Sequence, residues 1–253
     1  MLGLGNSITV FGKPFSPNDI SNLVRWYKAN GGIIGGSGGA SNDGDMADGE
    51  NITTWVDQTG TSNAVQATAA DQPHWETDEL GALKFDNVAD MTFTAVEIDA
   101  EEAFSLVIRI KPIAFGSDDV IIGHDASNYF RYSSNANFRI RLAATSPNNY
   151  NFNDGSNTVP TGVYSTFIVV RDAGGTGALK LYVKPENVAS EIDWDSAENH
   201  ADTDATTFSI IGARGADTSE LNAFVKDILI YNNTALDATQ RTDIYSYLES
   251  QVY

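Results

Sequence analysis

Three acidic residues at alternate positions in the segment EIDWDS, namely Glu191, Asp193 and Asp195, are the first candidates for chemistry. Alternate residues of an extended strand share one face, so their carboxyl groups would stand in a row. Retaining hydrolysis of a glycosidic bond needs two carboxyl groups about 5 Å apart, one as nucleophile and one as acid/base. The flanking KPENVAS looks like a loop, which weakens this reading. A second acidic group, Asp43, Asp45, Asp48 and Glu50, lies in a Gly- and Asp-rich stretch at 31–50. A third runs through Asp193, Asp195, Glu198, Asp202 and Asp204. Calcium takes roughly six to eight oxygen ligands, and such groups could supply them. Asp43, Asp45, Asp48 and Glu50 are the candidate calcium ligands, although no Gly follows at the EF-hand position. A solvated acidic loop is the simpler reading. His74, His124 and His200 form no close-spaced pair, which speaks against zinc. There is no Gly-x-Ser-x-Gly elbow and no phosphate-binding Gly-x-x-x-x-Gly-Lys loop. No cofactor other than calcium is expected.

Four tryptophans could stack on sugar rings. Trp26 is expected to pack with Leu23 and Val24. Trp75, within DQPHWETDE, and Trp194, in the acidic segment, are the candidates for exposure and glycan contact. Arg131, Arg139 and Arg141 are expected on one outward sheet face, where they could meet carboxylates of a neighbouring subunit.

The elements that must position these groups are short strands. AFSLVIRIKP (103–112) alternates, with Phe104, Leu106, Ile108 and Ile110 on one side and Ser105, Val107, Arg109 and Lys111 on the other. That pattern predicts a half-buried strand. NFRIRLAA (137–144) turns Phe138, Ile140 and Leu142 inward and Arg139 and Arg141 outward. Further strands are expected at 81–85, 119–125, 162–172, 178–185, 207–213 and 224–231. Many short strands without strand–helix alternation indicate an all-β sandwich or barrel. One helical turn capped by Ser16 or Asn18 opens the domain, and a helix closes it. In LDATQRTDIYSYLES, Asp237 and Gln240 have capping-box spacing, and Ile244, Tyr247, Leu248 and Val252 share a face.

A length of 253 residues fits one large β domain or two small ones, and 42% hydrophobic content can build a core. There is no cysteine, hence no disulfide. A net charge of −19 repels nucleic acid and anionic membrane, so neither is an expected partner. MLGLGNSITVFGKPF lacks the basic start and long apolar block of a secretory signal.

The order NLVRWYKA, TTWVDQTG, ALKFD and EEAFSLVI, followed by a final strand–turn–helix, resembles the laminin-G-like, concanavalin A-like jelly-roll domains. Members often carry a Trp-x-Asp-x-Ser-Gly-like element, here Trp55, Asp57, Thr59 and Gly60. They often close as DILIYN does here, with Leu236, Gln240, Ile244, Tyr247 and Leu248 following. The resemblance implies a two-sheet antiparallel jelly-roll sandwich over about residues 20–253, with the closing helix on the edge of the sandwich. It also implies a calcium site at the rim in some members. Jelly-roll glycosidases use Glu-x-Asp-x-x-Glu or a shorter variant; position 196 here is Ser, which leaves only Asp195 as acid/base. No enzymatic activity is therefore expected.

MLGLGNSIT is similar to the start of structural proteins from tailed phages of marine cyanobacteria. That implies a two-part chain: a docking arm at 1–15 and a jelly-roll domain at 16–253. It implies a virion location and attachment to other capsid or tail proteins in many copies or as a homo-oligomer. Leu2, Leu4, Ile8 and Phe11 of the arm would fill apolar grooves of a partner. The alternative expectation is an adhesin that binds a host-surface glycan.

Overall fold

The computed structural model describes residues 13–36, 46–116, 118–142, 148–153, 157–174, 179–194, 205–215 and 220–251. A 3₁₀ turn at Pro17–Asp19 is the first described element, and the Asp19 carboxylate accepts the Ser16 N–H at 2.8 Å. The strands that follow are β1 (Leu23–Lys28), β2 (Ile33–Gly35), β3 (Ile52–Trp55), β4 (Ala64–Val65), β5 (His74–Glu76), β6 (Ala82–Asp86), β7 (Met91–Ile98) and β8 (Phe104–Pro112). Then come β9 (Asp119–Asp125), β10 (Asn128–Ser134), β11 (Asn137–Leu142), β12 (Asn148–Asn153), β13 (Ser165–Arg171), β14 (Lys180–Pro185), β15 (Ile192–Trp194), β16 (Thr206–Ile211) and β17 (Asn222–Asn232). One helix, α1 (Ala238–Ser250), follows them.

All pairings are antiparallel, and they make two sheets. The first runs β15-β14-β13-β8-β17-β6-β5, with β1 also paired to β17. The second runs β12-β11-β10-β9-β16-β7-β4-β3-β2. The sheets face each other across one core, which includes Trp55, Phe85, Ile108, Phe130, Phe138, Phe167 and Ile230. This is the expected jelly-roll sandwich.

β8 is not half-buried. Leu106, Ile108 and Ile110 enter the core between the sheets, but Val107 on the opposite side is also fully buried. Its outward cover is α1. Leu236, Ile244, Tyr245 and Leu248 pack on Val107, Ile168, Val170, Tyr182, Leu229 and Tyr231. The helix thus lies on the outer face of the first sheet, across its central strands, and does not cap an edge. Central strands that are apolar on both sides need cover on both sides; β13 shows the same, with Phe167 and Val169 facing one way and Ile168 and Val170 the other. The helix starts where its sequence indicates. Asp237 accepts the Gln240 N–H at 2.8 Å, and the Gln240 side chain accepts the Asp237 N–H at 3.0 Å. Val252 lies outside the described residues.

Candidate functional site

Among the described residues no helix lies over the outer face of the second sheet, and the character of that face changes along the strand order. At the β10–β12 end the alternation drives Phe130, Tyr132, Phe138 and Ile140 into the core and leaves a polar surface outside. Tyr129 stands across from Arg141, and Arg131 across from Arg139. On the next strand, Asn149 pairs with Arg141 and Asn151 with Arg139. Two rows therefore cross three strands, each with arginine beside asparagine.

A fourth arginine comes from elsewhere in the chain. Gly123 on β9 has no side chain to hold off the segment after β16; a Cβ there would lie 3.0 Å from both the Ala213 carbonyl oxygen and the Arg214 Cβ. That close approach sets the Arg214 guanidinium 4.4 Å from the centre of the Tyr129 ring. The Arg131 guanidinium lies 5.5 Å from the same ring. Tyr129 is consequently buried beneath two cations, an arrangement that orients the guanidiniums through ring attraction.

The electrostatics are unusual for so acidic a chain. Arg131 is buried and forms an ion pair with Asp118. Burial, followed by repulsion from Arg139, Arg214 and Arg141, still pushes its guanidinium down to about 10. Arg139 donates from Nε to Asn151 Oδ1 at 2.7 Å, a neutral acceptor. Arg141 has no hydrogen bond or ion pair among the described residues, and its Nε is buried. Asn149 Oδ1, across from it, is also buried without a hydrogen-bond partner. A donor set and an acceptor thus remain unspent side by side. Such a surface can hold hydroxyls and anions.

The acidic candidates have other occupations. Glu191 forms a forked ion pair with Arg241 of α1, with contacts of 2.7 to 3.3 Å. The Arg241 guanidinium lies 3.6 Å from the centre of the Tyr182 ring. Glu191 is thus a clasp between helix and sheet, Asp193 is exposed, and Asp195 and Ser196 lie outside the described residues. Asp48 accepts the Thr77 N–H at 2.8 Å and its hydroxyl at 2.9 Å, and these bonds hold its carboxyl below the usual range. Glu50 accepts the Ala47 N–H at 3.3 Å. Asp43 and Asp45 fall outside the described residues, within which no group of three or more His, Cys, Asp or Glu could hold a metal. Leu2, Leu4, Ile8 and Phe11 also lie outside them.

Both tryptophans expected on the surface are core residues. Trp194 is fully buried, meeting the Phe138 ring edge-on at 5.1 Å between centroids. Trp75 is 2% exposed and lies against Gly81, where a Cβ would come within 2.7 Å of its ring. The neighbours His74, Glu76 and Asp193 turn outward while the indoles turn in, so neither can stack on a sugar. Arg131, Arg139 and Arg141 do share a face as the alternation of β10 and β11 requires. Arg214 was missed, because nothing local in GARGAD indicates that it returns over β10.

Residues 85–240 match the family model described as the concanavalin A-like lectin/glucanases superfamily. Among solved structures, the chain is similar to domain 4 of AbnA, an extracellular arabinanase from Geobacillus stearothermophilus in complex with arabinotriose; identity is 14%, coverage 88% of this chain and 98% of that one, and the TM-score 0.58. It is similar to the binding domain of Paraclostridial Mosquitocidal Protein 1, at 10% identity, 87% and 52% coverage and a TM-score of 0.54. It is also similar to the Trypanosoma rangeli sialidase in complex with sialic acid, at 13% identity, 95% and 36% coverage and a TM-score of 0.53. The chain thus spans about a third of the sialidase and about half of the mosquitocidal chain. At such identities the likeness is one of fold. A comparison with the curated proteins gives no match.

Proposed function

The chain belongs to the concanavalin A-like lectin/glucanases superfamily, and on that premise we propose that it is a carbohydrate-binding protein that acts without catalysis, using the β10–β12 face. The observation that carries this is the pair of Arg141 and Asn149, one with unspent donors and one with an unspent acceptor on adjacent strands. A sugar hydroxyl both donates and accepts, so it can accept from the terminal N–H groups of Arg141, while Asn149 Oδ1 stays buried on the adjacent strand. One row along, Arg139 and Asn151 are already bonded to each other at 2.7 Å. The arabinotriose complex of the similar arabinanase domain supports the class of ligand by analogy of fold.

A virion role is part of the same proposal. The arm at 1–15 would fasten the domain to capsid or tail proteins in several copies, and the sandwich would present the binding face to a host glycan. What favours this is the position of Phe15. Its ring meets Tyr247 of α1 at 6.2 Å, on the outer side of the first sheet, whereas the arginine face lies on the outer side of the second. Attachment at one side leaves the other free, and multiple copies would turn weak sugar contacts into firm adhesion.

The test is binding of the purified full chain to a panel of neutral and acidic oligosaccharides by titration calorimetry. At least one class should bind without being cleaved. Asn149→Ala with Asn151→Ala, measured well below its own melting temperature, should weaken binding at least about tenfold, the loss expected for removing two hydrogen-bonding side chains. Binding to no saccharide at all, or full binding by the double variant, would overturn the proposal.

A further inference from the structure

We infer that the saccharide held by this face is acidic and presents a carboxylate to Arg139 and Arg141. This rests on the carbohydrate-binding reading and deepens it.

Four of the chain's eight arginines gather here, in a protein whose net charge is −19. Like charges crowded on a sheet are destabilising unless something neutralises them. Asp118 answers Arg131. Arg139 has only a neutral amide as its acceptor, and Arg141 has no acceptor among the described residues. The stretch therefore holds two adjacent guanidiniums of the same strand without a described carboxylate, roughly 7 Å apart along the strand direction. A guanidinium offers a planar fork that matches the two oxygens of a carboxylate. With a carboxylate on one fork, the ring hydroxyls of the same residue fall beside the asparagines of β12.

Another protein surface fits less well. A second copy of this chain would bring its own charge of −19 to the contact, and the two fields would repel before any local pairing formed. A single sugar acid brings one charge on a small body. It gains the local attraction and meets little of the long-range repulsion, which salt screens beyond about 8 Å.

Titration calorimetry of the full chain provides the test, with oligogalacturonate, oligomannuronate and sialyllactose as probes. Each is paired with its carboxyl methyl ester, and dextran sulfate and neutral galactan serve as the remaining arms. At least one acid should bind, its ester should bind at least about tenfold more weakly, and added salt should weaken the acid alone. Arg139→Gln and Arg141→Gln should each cost about tenfold or more, with the melting temperature retained. Arg141→Lys keeps the charge without the fork and should lose most of the affinity as well. Equal binding of acid and ester, or of neutral galactan, overturns the carboxylate assignment while leaving carbohydrate binding intact. Dextran sulfate binding as tightly as the best acid, or Arg141→Lys binding like the wild type, overturns it in favour of charge alone. Dimerisation that Arg141→Gln abolishes, with no saccharide bound, overturns both readings.

Discussion

Asp57→Ala is expected to remove about 3–5 kcal/mol of stability, because at ~1–3 kcal/mol each only two or three of its five buried or partly buried donors need go unpaired. Asp57 is 2% exposed and is the hub of the turn that follows β3. Its carboxylate accepts the Trp26 N–H at 3.0 Å, the Thr59 N–H at 3.0 Å, the Thr59 hydroxyl at 2.7 Å, the Ser62 N–H at 3.0 Å and the Thr61 N–H at 3.3 Å. One side chain thus folds the loop at 57–62 and ties it to β1. Alanine leaves these donors, of which the Trp26 N–H is the buried one, without their shared acceptor. Asn keeps the shape but replaces an accepting oxygen with a donating amide, so Asp57→Asn should also destabilise. Chemical denaturation of the variant beside the wild type measures the cost. A loss below about 1 kcal/mol, the worth of one ordinary hydrogen bond, would show that the turn does not depend on this hub. Since β3 lies near the far end of the second sheet from β10–β12, saccharide binding well below the melting point should not change.

Trp194→Ala should cost about 3–5 kcal/mol, the range for deleting a large aromatic from a packed core. The indole is fully buried against Phe138, which in turn lies 5.2 Å from Phe167 of the facing sheet. Trp194→Phe is the informative companion. The indole Nε1 has no hydrogen-bond partner among the described residues, so phenylalanine removes an unpaired polar atom along with some volume. The expected cost is below about 1.5 kcal/mol, as for other volume-tolerant apolar exchanges. Both variants should bind saccharide as the wild type does when folded. A Trp194→Ala chain of native stability that has lost binding would return this residue to the surface as a stacking platform.

What could be foreseen divides along a physical line. Alternation is a property of a single strand, so NFRIRLAA alone set Phe138 and Ile140 against Arg139 and Arg141, and the sandwich confirms it. Capping is equally local: Asp237 and Gln240 make the box that their spacing announces. The order of the strand segments, with the Trp55 and Asp57 element and the closing DILIYN, was enough for the family and the jelly roll. Burial of a given side chain is not local. Trp75 and Trp194 sit among acidic and polar neighbours, yet the facing sheet receives their rings. Val107 alternates with Leu106 and Ile108 as a surface residue would, yet α1 covers it. A helix with an apolar face must find an apolar surface, and only the assembled sheet says whether that is an edge or the broad face over β8, β13 and β17. The candidate site follows the same division. Arg139 and Arg141 were visible from strand periodicity, whereas Arg214 joins them because a turn distant in sequence crosses Gly123 at close range. Periodicity decides which way a side chain points; the pairing of distant strands decides what it meets there.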